Sequence, residues 1–183
     1  RVSTNWRWGG ALSFTSQDIE VGPSETDGTA VNASLYAAYD FAHGYLAATV
    51  SGGRDSFDID RHIQLGAMDR IETGSTSAQR VGFALGGAWL FGGDSFQHGP
   101  FADITWQQID VDGFAEDSGD ATAMTFDDYD RDSLVSRIGW QARGTMGRMR
   151  PFGSIAYNNE SEDDQVSVRA GLVSMNGHFV MPG

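Results

Sequence analysis

A chain of 183 residues gives room for one domain, and its formal charge of −13, from 25 acids against 12 bases that are all arginine, excludes the clustered cations a nucleic-acid binder needs. Cysteine is absent, which removes disulfides, thiolate metal sites and thiol nucleophiles. Apolar runs such as Phe83–Phe91 stay far below the roughly 20 residues of a membrane helix, yet a membrane strand needs only about 10 with every second one apolar. Residue 1 is arginine with no signal peptide ahead of it, so the expected parent is a longer precursor.

Period two dominates the chain in order. From Trp6 the even positions read Trp6, Trp8, Gly10, Leu12 and Phe14, against Arg7, Gly9, Ala11, Ser13 and Thr15. A second strand is predicted over 29–41, with Val31, Ala33, Leu35, Ala37, Tyr39 and Phe41 on one face. A third covers 45–65; Phe57, Ile59, Ile63 and Leu65 alternate with Asp58, Asp60, His62 and Gln64 in its later part, and Gly52-Gly53 is read as a bulge that resets the phase. Strands follow over 79–91 (Val81, Phe83, Leu85, Trp89 and Phe91 on one face), 101–112 (Ile104, Trp106) and 132–146 (Leu134, Ile138, Trp140, Met146). A seventh runs from Pro151 to Asn159 with Ile155 and Tyr157 apolar, and Val166–Val173 alternates as a short eighth.

The joints at 40–45, 92–99 and 147–150 are short, whereas 16–29, 66–78 and 113–131 read as long polar loops. Much of the acid falls in the long ones: Asp18, Glu20, Glu25 and Asp27, then Glu116, Asp117, Asp120, Asp127, Asp128 and Asp130. Strict alternation of short turns and long loops is the layout of a bacterial outer-membrane barrel, and a soluble sandwich has less reason for it. Aromatics flank the short turns: Tyr39, Phe41 and Tyr45 the first, Trp89, Phe91 and Phe101 the second, Trp140 and Phe152 the third. Such rings collect at a bilayer interface and predict a girdle on the short-turn side.

Other residues suggest chemistry. Gly93-Asp94-Ser95-Phe96 looks like a hydrolase nucleophile motif, and Asp40-Phe41-Ala42-His43 supplies an Asp-x-x-His pair. A serine hydrolase needs a base within reach of the hydroxyl and donors for the oxyanion. Here the pair precedes the serine, no helices punctuate the strands, and both pieces fall in turns that favour Gly, Asp and Ser for backbone reasons. His43, His62, His98 and His178 lack ligand spacing, and Asp127–Asp132 lacks the glycine and terminal glutamate of a calcium loop, so neither metal nor cofactor is expected. Arg7, Arg137, Arg143 and Arg169 fall within strands. Arginine facing lipid at mid-height costs about 2–4 kcal/mol, so Arg7, Arg137 and Arg143 are expected to face a lumen and pair with acids or a threaded segment.

Several phrases together resemble the barrel of GDSL-type esterase autotransporters: His98-Gly99-Pro100-Phe101-Ala102, Val111-Asp112-Gly113-Phe114, Tyr129-Asp130-Arg131-Asp132-Ser133-Leu134, Gly139-Trp140, Arg61–Gly66, and Arg150-Pro151-Phe152 before Ile155-Ala156-Tyr157-Asn158. The resemblance spans most of the chain. It implies an all-β, antiparallel up-and-down transmembrane β-barrel of 12 strands, of which seven or eight are visible in 1–183, a partial translocator domain. It further implies no catalysis in this segment, with a GDSL esterase passenger upstream whose nucleophile and Asp-x-x-His lie outside these residues. Expected partners are outer-membrane lipid, the passenger with its linker helix in the lumen, and the barrel assembly machinery, with the acidic loops outside the cell. The chain departs from the family in its missing strands and in ending Met181-Pro182-Gly183, without a terminal aromatic. The alternative is a soluble β-barrel or sandwich that binds a small ligand inside, which would bury its apolar face rather than display it.

Overall fold

The computed structural model describes residues 5–118, 120–161, 167–174 and 178–182. Seven long strands form one antiparallel sheet in which each lies beside its sequence neighbour: β1 (Trp6–Val21), β2 (Ser24–Phe41), β3 (Gly44–Leu65), β4 (Met68–Trp89), β6 (Phe96–Val111), β9 (Tyr129–Gly144) and β10 (Phe152–Glu160). After a break at Leu90, the short β5 (Phe91–Gly93) continues the line of β4 against β6. A second, small sheet has the order β12-β11-β8-β7, from β7 (Phe114–Ala115), β8 (Met124–Phe126), β11 (Ser167–Leu172) and β12 (His178–Pro182). Among the described residues β1 and β10 are the edges of the large sheet.

The predicted loops at 16–29 and 66–78 are not loops. β1 and β2 stay paired from Trp6↔Tyr39 to Val21↔Ser24, and β3 and β4 from Gly44↔Trp89 to Leu65↔Met68. Each hairpin closes through two residues, Gly22-Pro23 and Gly66-Ala67, with the glycine at φ 63°. A side chain is strained in that left-handed region, and glycine enters it freely, which is why a two-residue turn forms there. Only the third connection, 112–128, leaves the large sheet, and it carries β7 and β8. At about 3.4 Å per residue the 22 residues of β3 or β4 reach about 75 Å, well beyond a lipid band about 25 Å tall even when tilted.

Two further expectations are corrected. Gly52-Gly53 is no bulge: Gly52 pairs Ala33 and Val81, Gly53 pairs Asn32 and Arg80, and the register runs through without a slip. The apolar residues change sides instead. Leu46, Ala48 and Val50 share one face of β3, whereas Phe57, Ile59 and Ile63 lie on the other, beyond Gly53. Ser167–Leu172 is a strand, as expected, but it pairs β8 and β12 rather than joining the large sheet; Val166 lies outside the described residues.

Among the described residues no apolar core forms between layers. The buried hydrophobic residues are Ala78, Ala88, Leu90, Ala123 and Ala170, all but one alanine, while Trp8 is 81 % exposed, Phe14 76 % and Ile155 77 %. The strands therefore display their large side chains, and the sheet is held by its backbone ladder and cross-strand contacts.

Candidate functional site: an apolar band and a polar face

Register divides the sheet into two chemically distinct faces. One row runs Leu12↔Ala33↔Gly52↔Val81, the next Gly10↔Leu35↔Val50↔Phe83↔Trp106↔Leu134, and another Leu46↔Gly87↔Ala102↔Ile138↔Tyr157. These rows make one apolar face across all seven strands. The opposite face carries Arg7, Asn32, Asp55, Arg80, Asp103, Arg137 and Arg143 among serines, threonines and glycines.

The eight aromatics expected as a girdle do not share a face. Tyr39, Phe41, Trp89, Phe91 and Trp140 lie on the apolar side, but register puts Tyr45 opposite Asp40, Phe101 opposite Gly139, and Phe152 opposite Arg143, on the polar side. Nearness to a turn had suggested all eight, and only parity along each strand separates them. The apolar five extend into a ribbon beside the short turns. Trp6 packs on Tyr39 (centroids 4.9 Å), Phe41 on Trp89 (5.5 Å), His43 on Trp89 (5.9 Å) and Phe91 on Trp140 (6.5 Å). His98 continues it, 5.8 Å from Trp140 and 5.5 Å from Phe96. Such pairs add about 0.5–1.5 kcal/mol beyond burial.

Each of the three arginines singled out in the sequence has a partner on the polar face. Arg7 reaches Asp40 at 2.8 Å; Arg137 donates to both oxygens of Asp103 at 3.1 and 2.9 Å and lies 5.4 Å over the Phe101 ring; Arg143 donates to the Gln97 amide oxygen at 2.9 Å. Phe101 in turn covers Gly139, where a Cβ would stand 2.8 Å from the ring. Arg80 joins them on the polar face, and its place beside Val81 in an alternating strand is the sequence signal for it. It bonds Asp55 at 2.8 Å and Asn32 at 3.1 Å, and its Nε is buried without a partner, as is Nε2 of Gln141 on the same face.

Beyond Gly53 the former apolar side turns acidic. Asp18, Asp27 and Asp58 face one another across three strands, as do Glu20, Glu25 and Asp60. The carboxyl of Asp27 is raised above its ordinary value of 3.8, first by loss of water contact, then by its hydrogen bond to Asp18 and repulsion from Asp18, Asp58 and Asp60. On the other side of the β3–β4 hairpin, Arg61 forks onto Glu116 of the 112–128 connection with bonds of 2.7 and 2.6 Å. Neither this contact nor the buried Glu72 was visible in the sequence, since the partners lie over 40 residues apart.

The hydrolase-like pieces fall in turns. Asp94-Ser95 closes β5 onto β6, Ala42-His43 closes β2 onto β3, Asp40 is engaged by Arg7, and the His43 ring stacks on Trp89. Within Asp127–Asp132, Tyr129 begins β9, so Asp130 and Asp132 stand in a strand facing Asp110 and Gln108.

The profile of the autotransporter β-domain matches residues 1–183. The chain belongs to the autotransporter β-domain family. It is 30 % identical to Esterase EstA of Pseudomonas aeruginosa over 191 positions, covering all of this chain and 30 % of that protein. It is 28 % identical to Lipase 1 of Photorhabdus luminescens, over 80 % of this chain and 24 % of that protein. The chain thus spans less than a third of the length of these curated relatives. The fold also matches the translocator domain of the autotransporter NalP from Neisseria meningitidis, with a TM-score of 0.69 at 15 % identity, over all of this chain and 71 % of that one. As an autotransporter β-domain the chain is a translocator domain of the bacterial outer membrane. The soluble ligand-binding alternative gives way to that membership and to the open display of the apolar face.

Proposed function

We propose that the apolar face of this translocator meets lipid, that its polar face lines the lumen, and that the short turns lie in the periplasm. The long hairpins and the 112–128 connection then stand outside the cell. The observation that carries this reading is the unbroken apolar face, with Trp8, Leu12, Phe14, Leu35 and Tyr157 all exposed and no second layer over it among the described residues. In water such a surface costs about 25 cal/mol per Å², a cost that lipid removes. The aromatic ribbon sits at the short-turn end, where amphipathic rings suit the headgroup level.

Within the lumen, Arg7, Arg137 and Arg143, together with Arg80 and Gln141, are the groups that face a linker helix leading to the passenger. Their shared place on the polar face, opposite the apolar rows, supports this. The passenger is an upstream GDSL-type esterase, by similarity to relatives named as an esterase and a lipase. Insertion is assigned to the barrel assembly machinery, since a strand ladder must close before its edges enter lipid.

Export is tested on the full-length parent by following ester hydrolysis and protease sensitivity of the passenger on intact cells. Deleting residues 1–183 should confine the passenger to the periplasm and abolish surface activity. A passenger that reaches the surface without these residues would overturn the proposal.

A further inference from the structure

We infer that residues 114–118 and 120–126 form a latch, folded onto the polar face of the β3–β4 hairpin across the outer mouth of the barrel and held by Arg61, Glu72 and Glu116. This rests on the reading of the polar face as luminal and of the long hairpins as external.

Arg61 and Glu72 are register partners on the polar face, two residues from Gly74. The Phe114 ring lies so close over Gly74 that a Cβ there would meet it at 2.9 Å, and Phe114 stacks on Phe126 at 4.8 Å. β6 leaves β4 at the pair Ala78↔Val111, and beyond that point the amide of Asp117 donates to the Thr73 carbonyl at 2.8 Å. The connection thus occupies the exposed edge of β4 and then crosses to the luminal side.

In a strongly acidic chain, an acidic connection would be expected to stand away from the hairpin in water. Here two of its carboxylate contacts are buried instead: Glu72 is 1 % exposed and Glu116 5 %. Arg61 forks onto Glu116, and the same guanidinium donates to the Thr122 carbonyl at 2.9 Å. Glu116 also accepts the Met124 amide at 2.7 Å, while Glu72 accepts the hydroxyls of Ser118 and Thr122. Arg70 pairs with Asp120 nearby.

A buried carboxylate is tolerated only while its partners hold, and all these partners are polar groups that water can replace once the segment lifts. The closed position is therefore held by these directional contacts together with a small apolar patch of Phe114, Phe126 and the buried Ala123. That is the physical basis of a two-position element. Pairing of β8 with β11 ties the next connection to it, so the two would move together.

The chain has no cysteine, so a designed pair reports the closed position cleanly. Full-length protein carrying Thr73→Cys and Asp117→Cys should cross-link in intact outer membranes under mild oxidant. The cross-link should lower ion conductance in planar bilayers, and a reductant should restore it. Adding Arg61→Ala or Glu116→Gln should reduce the cross-linking rate, and in the cysteine-free protein should raise protease nicking between Phe114 and Phe126, each by about tenfold. Gel mobility before and after boiling is read on the same samples. A heat-modifiable barrel that fails to cross-link, or whose nicking ignores Arg61, overturns the latch; loss of heat-modifiability in the cysteine-free wild type overturns the barrel reading beneath it.

Discussion

Leu85 and Thr105 show how much depends on which way a single side chain points. Leu85 stands in the apolar row with Ala48 and Ile104, while Thr105 lies on the polar face between Ala84 and Val135. Leu85→Arg should lower stability in lipid vesicles by about 2–4 kcal/mol, read by denaturant unfolding, and Thr105→Arg should cost clearly less. Equal losses at the two sites would count against the assignment of faces. Close backbone approach gives a second contrast at this scale. A Cβ on Gly99 would lie 1.9 Å from the Trp89 carbonyl oxygen, whereas one on Gly93 meets nothing within 4 Å. Gly99→Ala should destabilise by about 1–3 kcal/mol and Gly93→Ala should be near neutral in the same assay. The surface pair Arg7–Asp40, with both side chains well exposed, should contribute no more than about 1 kcal/mol.

Among the elements, the two long hairpins respond oppositely to acid. Glu72 is held below its ordinary value of 4.5, first by the Ser118 and Thr122 hydroxyls and then by Arg61 and Arg70. A depressed carboxyl contributes stability that is complete above pH 4.5 and is lost as pH falls through the lower folded value. Asp27 is raised above 3.8, so the β1–β2 hairpin gains stability as pH falls from that raised value toward 3.8. Amide exchange corrected for intrinsic rates should show residues 114–118 and 120–126 losing protection in acid while the end of β1–β2 gains it. Movement of both in the same direction would contradict this. The hairpins also show what the sequence could and could not convey. Period two identified the strands wherever one face carries large apolar side chains, from Trp6 to Phe14 or Val81 to Phe91. It vanished over 16–29 and 66–78, where serines, threonines, glycines and acids replace the large apolar residues, and these paired segments then looked like loops. The phase change after Gly53 marked the exit from the apolar band rather than a bulge. The Arg61–Glu116 contact left no local trace at all, since it depends on how a distant connection folds back.

At the scale of the whole molecule, the sheet reverses the arrangement of a soluble domain: large hydrophobic side chains are displayed and the charged groups pair on the opposite face. Family membership was legible because matched phrases such as His98–Ala102 and Tyr129–Leu134 lie where turns and strand starts constrain residue type. Burial partners across the sheet were not, because register is set by pairing that no single stretch encodes. Among the described residues β1 and β10 are free edges; on the membrane-barrel proposal they need cover in lipid, which further strands of the parent protein would supply by closing the barrel. The most direct test of that claim is heat-modifiability of the full-length parent folded in detergent. A closed barrel resists the detergent until boiled, so the unboiled protein should run at a different mobility from the boiled one. Identical mobilities, with a monomer that stays soluble in plain buffer, would contradict the membrane barrel outright.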